Sequence, residues 1–419
     1  MFRAMLPLLA ACLFAAAGCS SQGDTAPSPA AQQLGNQIGA YEIAERALIV
    51  DTHIDLPYRL HVKNEDVSRA AGGDFDFPRA QQGGLNAAFM SINVPASVDA
   101  QGGAAALADE LIGDMEALMR AAPEQFAAAH CVADLAAAKA AGRISLPLGM
   151  ENGGPIAGSL DELRRYFRRG VRSIALAHSR SNHIADSSYD SEEHWGGLSP
   201  FGVELVAAMN TLGVMVDISN LSDQAAWDVL EVSQAPVIAS HSSLRHFTPG
   251  WQRNMSDEMV VALGRAGGVI QINYGSSFVT QQARAYAERL AAAASAYAIN
   301  RGIDAAHPAV GEFREQYRAA YPYPYAATDH VLDHIDRAVE LAGIDAVGIG
   351  SDFDGVGDTL PIGLKDVSSY PALIAGLLDR GYALADIQKI LGGNLLRVWR
   401  ANEVFGEAAG TPVSCALGR

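Results

Sequence analysis

Almost every short apolar run in this chain ends in a side chain capable of chemistry, and that placement restricts the folds open to it. ALIVD (47–51) leads into Thr52, His53 and Asp55, ISLPLGM (144–150) into Glu151, and SIALA (173–177) into His178. VMVDIS (214–219) leads into Asn220, VIAS (237–240) into His241, VIQIN (269–273) into Tyr274, and AVGIGS (346–351) into Asp352. With Ala87–Val94, these runs give about eight strands when judged by period and length. Between most of them lie stretches with helical apolar spacing, such as 107–122, 161–170, 200–212, 223–232 and 257–266. Strands alternating with helices imply a parallel sheet covered by helices, either open or closed into a barrel. In an open sheet, strands far apart could not bring their ends together. In a (β/α)8 barrel the C-terminal strand ends share one mouth. The expected fold is therefore α/β, a (β/α)8 TIM-like barrel.

A long Ala- and Tyr-rich insertion, 277–329, interrupts the alternation and reads helical over 281–300. It suits a flap, an oligomer contact or a plain surface excursion. No internal repeat is visible.

The ends of the chain read differently. Arg3 precedes an apolar stretch, Met5–Ala17, that is too short to span a bilayer and closes on Ala17, Gly18 and Cys19. Residues 1–19 are expected to be an export signal of the lipoprotein type, with Cys19 as the lipid anchor. Residues 20–35 are expected to be a flexible tether, 36–405 the barrel domain and 406–419 a tail. The expected location is the periplasm, or the membrane of a bacterial envelope. A net charge of −17 repels phosphate backbones and sets nucleic-acid binding aside. Cys131 and Cys415 are the only cysteines beyond the leader. They are too few for a four-cysteine zinc site, and are either two free thiols or, in an oxidising compartment, a pair.

The residue types at the strand ends suit a metal. His53 and Asp55, two apart on a strand, point the same way. Imidazole with carboxylate suits zinc or another borderline divalent ion. Glu151 and His241 extend the donor set, and Glu151 has two oxygens with which to bridge two ions. His178 is placed to donate to an oxyanion. Asp352, in GIGSDFDG with Asp354, is a candidate to carry a proton. Arg253 offers a fork-shaped guanidinium to a substrate carboxylate.

Taken together, several collinear motifs make the chain resemble the membrane dipeptidase (renal dipeptidase) family of dinuclear zinc peptidases. They are DTHIDLP (51–57), FDFPRAQQGGLNAAFMSINVP (75–95), GMENG (149–153), LAHSRSNHIADS (176–187), VDISNLSD (216–223), SHSS (240–243), RNMSDE (253–258), VGIGSDFDG (347–355) and NLLRV (394–398). The resemblance implies the same barrel and a dipeptide substrate, with tolerance of a D-residue or of certain β-lactams in some members. It implies two zinc ions. His53, Asp55 and Glu151 would hold one, with Glu151 bridging, and His241 and the residue at 220 would hold the second. It gives His178 the tetrahedral intermediate, Asp352 the proton, and Arg253 with Tyr274 the substrate's C-terminal carboxylate. Homodimers are frequent in that family. One position departs, because Asn220 stands where the family has histidine, and an amide is the poorer zinc ligand. That departure leaves two other readings beside the dipeptidase. One is a same-fold hydrolase or tailoring enzyme acting on another small amide. The other is a metal-poor binding protein that keeps the barrel.

Overall fold

The computed structural model describes residues 29–412 and residue 415. The expected signal, Cys19 and most of the tether lie outside the described residues. Eight strands form the barrel: β1 (Ile49–Ile54), β2 (Leu85–Asn93), β3 (Leu148–Glu151), β4 (Val171–Ala175), β5 (Met215–Asp217), β6 (Ile238–Ser242), β7 (Val269–Ile272) and β8 (Val347–Ile349). Each pairs in parallel with its neighbour in chain order. The circle closes where Ile54 bridges Phe353, with the Asp55 N–H donating to the Phe353 carbonyl at 2.9 Å. The barrel expected from the strand ends is therefore the observed fold.

The single run 144–150 is split in two. Ile144–Ser145 is a separate two-residue strand that pairs with Ala87 and with Phe126–Ala127 outside the circle, and β3 begins only at Leu148. Pro147 separates them because it has no N–H for the ladder, although its carbonyl still accepts from Met90 at 2.8 Å.

Serine caps set several of the outer helices. Ser199, Ser222 and Ser256 accept from the backbone N–H of Gly202, Ala225 and Met259, so the helices Pro200–Leu212, Asp223–Val232 and Asp257–Arg265 start where polar sequence gives way to helical spacing. The last helix, Asn394–Ala408, packs under the starts of the strands. Its fully buried Trp399 meets Phe89 edge-on at 5.1 Å, within a cluster that includes Val50, Met215 and Val269. Truncating a tryptophan so placed costs about 3–5 kcal/mol. This end is packed for stability, which leaves the opposite end free for chemistry.

Two termini differ from expectation. A helix already runs from Pro29 to Arg46, so it takes in residues 29–35 of the expected tether. Burial of Ala40 and Ala44 holds it on the barrel. At the other end the last helix continues to Ala408, and Cys415 forms a disulfide with Cys131, with Cα atoms 5.2 Å apart. The insertion is a helical hairpin, Gln281–Arg301 and Pro308–Ala320. It has a small core of Ala294, Ala298 and Val310, and Tyr297 stacks on Phe313 at 4.5 Å.

Candidate metal centre

The C-terminal strand ends meet around a cavity of about 910 Å³, whose walls include Asp55, Glu151, His178, His241, Arg253 and Asp352. Glu151, at the end of β3, is the hub. Its Oε2 lies 3.5 Å from His53 Nε2 and accepts from Asn93 Nδ2 at 2.5 Å and Ser91 Oγ at 3.3 Å. Its Oε1 lies 3.1 Å from His241 Nε2 and 3.7 Å from His178 Nε2, and accepts from Asn220 Nδ2 at 3.0 Å. Asp55 Oδ2 is 3.4 Å from His53 Nε2. The His53 and His241 rings stack with centroids 3.7 Å apart. Three of these side chains, His53, Glu151 and His241, bring donor atoms within 4.8 Å of one another, and so do His53, Asp55 and Asp352.

The donors fit a cation by their own chemistry. His53 Nε2 and Asp55 Oδ1 are buried and make no hydrogen bond. A buried polar group normally finds a partner, and leaving it without one costs about 1–3 kcal/mol. Gly355 lies against these carboxylates, and a methyl group there would land on Asp55 Oδ2 and Asp352 Oδ1.

The electrostatics point the same way. Burial opposes a charge on His53, but the Glu151 and Asp55 carboxylates hold its pKa well above the usual imidazole value. Burial, with the positive charges of His53 and Arg253, pushes His241 well below it. Burial works to raise Glu151, yet His178 and His53 hold it well below the carboxylate range. An imidazole held between two carboxylates is also a donor set that suits a divalent cation.

Asp352 and Asp354 look equivalent in sequence but differ in the fold. Both adopt left-handed backbone, with φ of 64° and 65°. Arg59 Nη1 lies 2.7 Å from both oxygens of Asp354, which fixes that side chain in the wall. Among the described residues no arginine pairs with Asp352, which accepts from Asn273 Nδ2 at 2.7 Å. Burial, the largest influence, drives its pKa well above the carboxylate range.

Arg253 is buried and held on the rim. Its guanidinium donates to Ser242 Oγ at 3.0 Å and to the His241 carbonyl at 2.8 Å, and it stacks over Phe278 at 5.1 Å. Tyr274, expected beside it, is a correction. The Tyr274 ring is 1 % exposed, packs edge-on against Phe353 at 5.8 Å, and is not part of the cavity wall. Successive residues leaving a strand point to opposite sides. Asn273 takes the inward direction and sends Tyr274 the other way. The phenol that does reach the mouth is Tyr189, in the loop after β4. Neither Tyr189 nor Asn273 stood out in the sequence, although the period-two alternation around Asn273 held that signal.

The fold and the donor set define a barrel hydrolase with a metal-capable mouth. Residues 39–412 match the family model described as membrane dipeptidase, peptidase family M19. The chain belongs to that family. An uncharacterized dipeptidase of Schizosaccharomyces pombe is 32 % identical over 383 residues, which is 87 % of this chain and 82 % of that protein. Dipeptidase aclJ of Aspergillus oryzae is 34 % identical over 335 residues, 78 % of this chain and 69 % of its own. Among solved structures, the probable dipeptidase PvdM of Pseudomonas aeruginosa superposes with a TM-score of 0.77 at 28 % identity, covering 89 % of this chain and 99 % of that one. A metallo peptidase of Rhodobacter sphaeroides, liganded with a phosphinate mimic of L-Ala-D-Ala, superposes with a TM-score of 0.70 at 25 % identity, covering 85 % and 99 %.

Proposed function

We propose that this chain hydrolyses dipeptides at the barrel mouth with a metal-activated water, and that the metal is zinc. The observation that carries the reading is the meeting of His53, Asp55, Glu151, His241 and Asp352 around buried donor atoms that have no protein partner. His53, Asp55 and Glu151 would hold the ion, with His241 on the far side of Glu151. When bound, it supplies a water of lowered pKa and polarises the scissile carbonyl.

The remaining steps belong to the chain. His178, lining the cavity and partly exposed, donates to the oxyanion as the carbonyl becomes tetrahedral. Asp352 takes the proton of the attacking water and returns it to the leaving amine, its carboxyl oriented by Asn273. Arg253 pairs with the C-terminal carboxylate of the substrate. Its anchoring to Ser242 and to the His241 carbonyl ties substrate binding to the position of His241, beside Glu151. The dipeptide mimic bound to the Rhodobacter sphaeroides relative supports including L-Ala-D-Ala among the substrates.

Export is proposed on a separate footing. The Cys131–Cys415 disulfide joins positions 284 residues apart, and such bonds persist in oxidising compartments. It supports a location outside the cytoplasm, in keeping with the expected signal ending at Cys19.

The test is turnover of a panel of L-L and L-D dipeptides by the purified protein, before and after chelation. The reading expects hydrolysis that chelator abolishes and zinc restores. Hydrolysis indifferent to chelator, or none by zinc-loaded protein, contradicts it.

A further inference from the structure

We infer that this chain holds one metal ion tightly rather than two, because the Asn220 amide occupies the place where a second ion would need a ligand. The inference rests on the metal-dependent reading above and sharpens it. A catalytic zinc ion takes about three protein ligands plus water. One side of Glu151 offers three, His53 Nε2, an Asp55 oxygen and Glu151 Oε2, with distances of 3.4 and 3.5 Å from the imidazole nitrogen to the two carboxylates. The other side offers Glu151 Oε1 and His241 Nε2, 3.1 Å apart, while His178 Nε2, 3.7 Å from Oε1, is not among the donors that lie within 4.8 Å of one another. His53 cannot complete both sides with the same nitrogen.

Asn220 is turned so that it cannot make up the count. Its Nδ2 donates to Glu151 Oε1 at 3.0 Å, and an amide nitrogen has no lone pair to give a metal. Turned over, its carbonyl oxygen would face a carboxylate oxygen. The residue is fixed in place. Its backbone carbonyl accepts from the Ser188 N–H at 2.9 Å and from Ser188 Oγ at 3.1 Å, and its side chain is buried. Its φ is 70°, a left-handed conformation that asparagine, aspartate and histidine tolerate better than other side chains. The backbone is therefore compatible with a ligating residue, and the choice of side chain sets the ion count.

The experiment is zinc content by inductively coupled plasma mass spectrometry. The full-length protein is loaded with excess zinc chloride and passed through a desalting column. Asn220→His and Asn220→Asp are treated alike, with circular dichroism as a check on folding. The expected result is about one zinc per wild-type chain and about two in at least one folded variant, since either substitution supplies a third ligand on the second side. Two ions retained by the wild type overturn the inference and leave the dipeptidase reading standing. One ion in the wild type and still one in both folded variants overturns the role given to Asn220. No zinc in any form overturns the metal-dependent reading itself.

Discussion

Ser240 Oγ lies 2.8 Å from His241 Nδ1 and donates its own proton to the Asp217 carboxylate. A hydroxyl has one proton to give, so the contact with His241 must be Nδ1–H donating to Ser240. That fixes the imidazole as the tautomer with a bare Nε2, directed at Glu151. Asp217 is in turn fixed by the N–H groups of Ser219 and Ser240, both at 2.9 Å. Removing the orienting partner of a ligating histidine typically weakens metal binding about 10–100-fold. In the Asn220→His background, where His241 would ligate a second ion, Ser240→Ala is expected to weaken that ion's binding in that range while costing about 1 kcal/mol of stability. Competition against a chromophoric chelator measures it, and an unchanged affinity would remove the relay from the account.

Gly355 tests the floor of the site. A Cβ there meets the facing oxygens of Asp55 and Asp352. Gly355→Ala is expected to keep the barrel, as judged by circular dichroism, and to lower kcat/KM on dipeptides about 100-fold or more, in line with the cost of a small misplacement of reacting groups. Activity within a few-fold of wild type would show that those carboxylates can move apart at no cost.

These two positions show what could be read from the chain beforehand. The strand ends were legible because most apolar runs stop at a side chain capable of chemistry, and His53, Asp55, Glu151, His178, His241 and Asp352 lie together at one mouth. Residues one step off that pattern were not. Tyr274 follows its apolar run as His241 does, but its ring turns outward because Asn273 has the inward position. Asp354 resembles Asp352 until Arg59, in a distant helix, is seen to bind it. The pairing of Cys131 with Cys415 depends on distance in space, which sequence separation does not carry.

Arg253 should act on binding more than on chemistry. Arg253→Lys keeps a charge but loses the fork that reaches Ser242 and the His241 carbonyl together. The expectation is a KM raised about 10-fold or more for dipeptides with a free C-terminus, and a smaller effect on their C-terminal amides, which have no carboxylate to pair. Equal losses on both would place Arg253 away from the substrate carboxylate.

His334 is fully buried, and its titration is expected to contribute to the protein's acid sensitivity. Its Nδ1 accepts from the Leu244 N–H at 3.0 Å and its Nε2 faces the Val279 carbonyl at 3.2 Å. Burial pushes its pKa down to about 3. The folded protein keeps it neutral, while the unfolded chain takes up a proton near pH 6.5. Its contribution to stability is therefore complete above pH 6.5 and lost progressively as pH falls toward 3, on the order of 4–5 kcal/mol across the window. His334→Gln, which does not titrate, should show a flatter fall of Tm between pH 6.5 and 4 than the wild type. Parallel slopes would assign the acid sensitivity to other groups.

The central claim is that dispersed strand ends build one cation site, and anomalous diffraction at the zinc absorption edge from zinc-soaked crystals tests it most directly. The account predicts a peak in bonding contact with His53 Nε2, Asp55 and Glu151. A zinc-saturated crystal with no peak among those three side chains would contradict it.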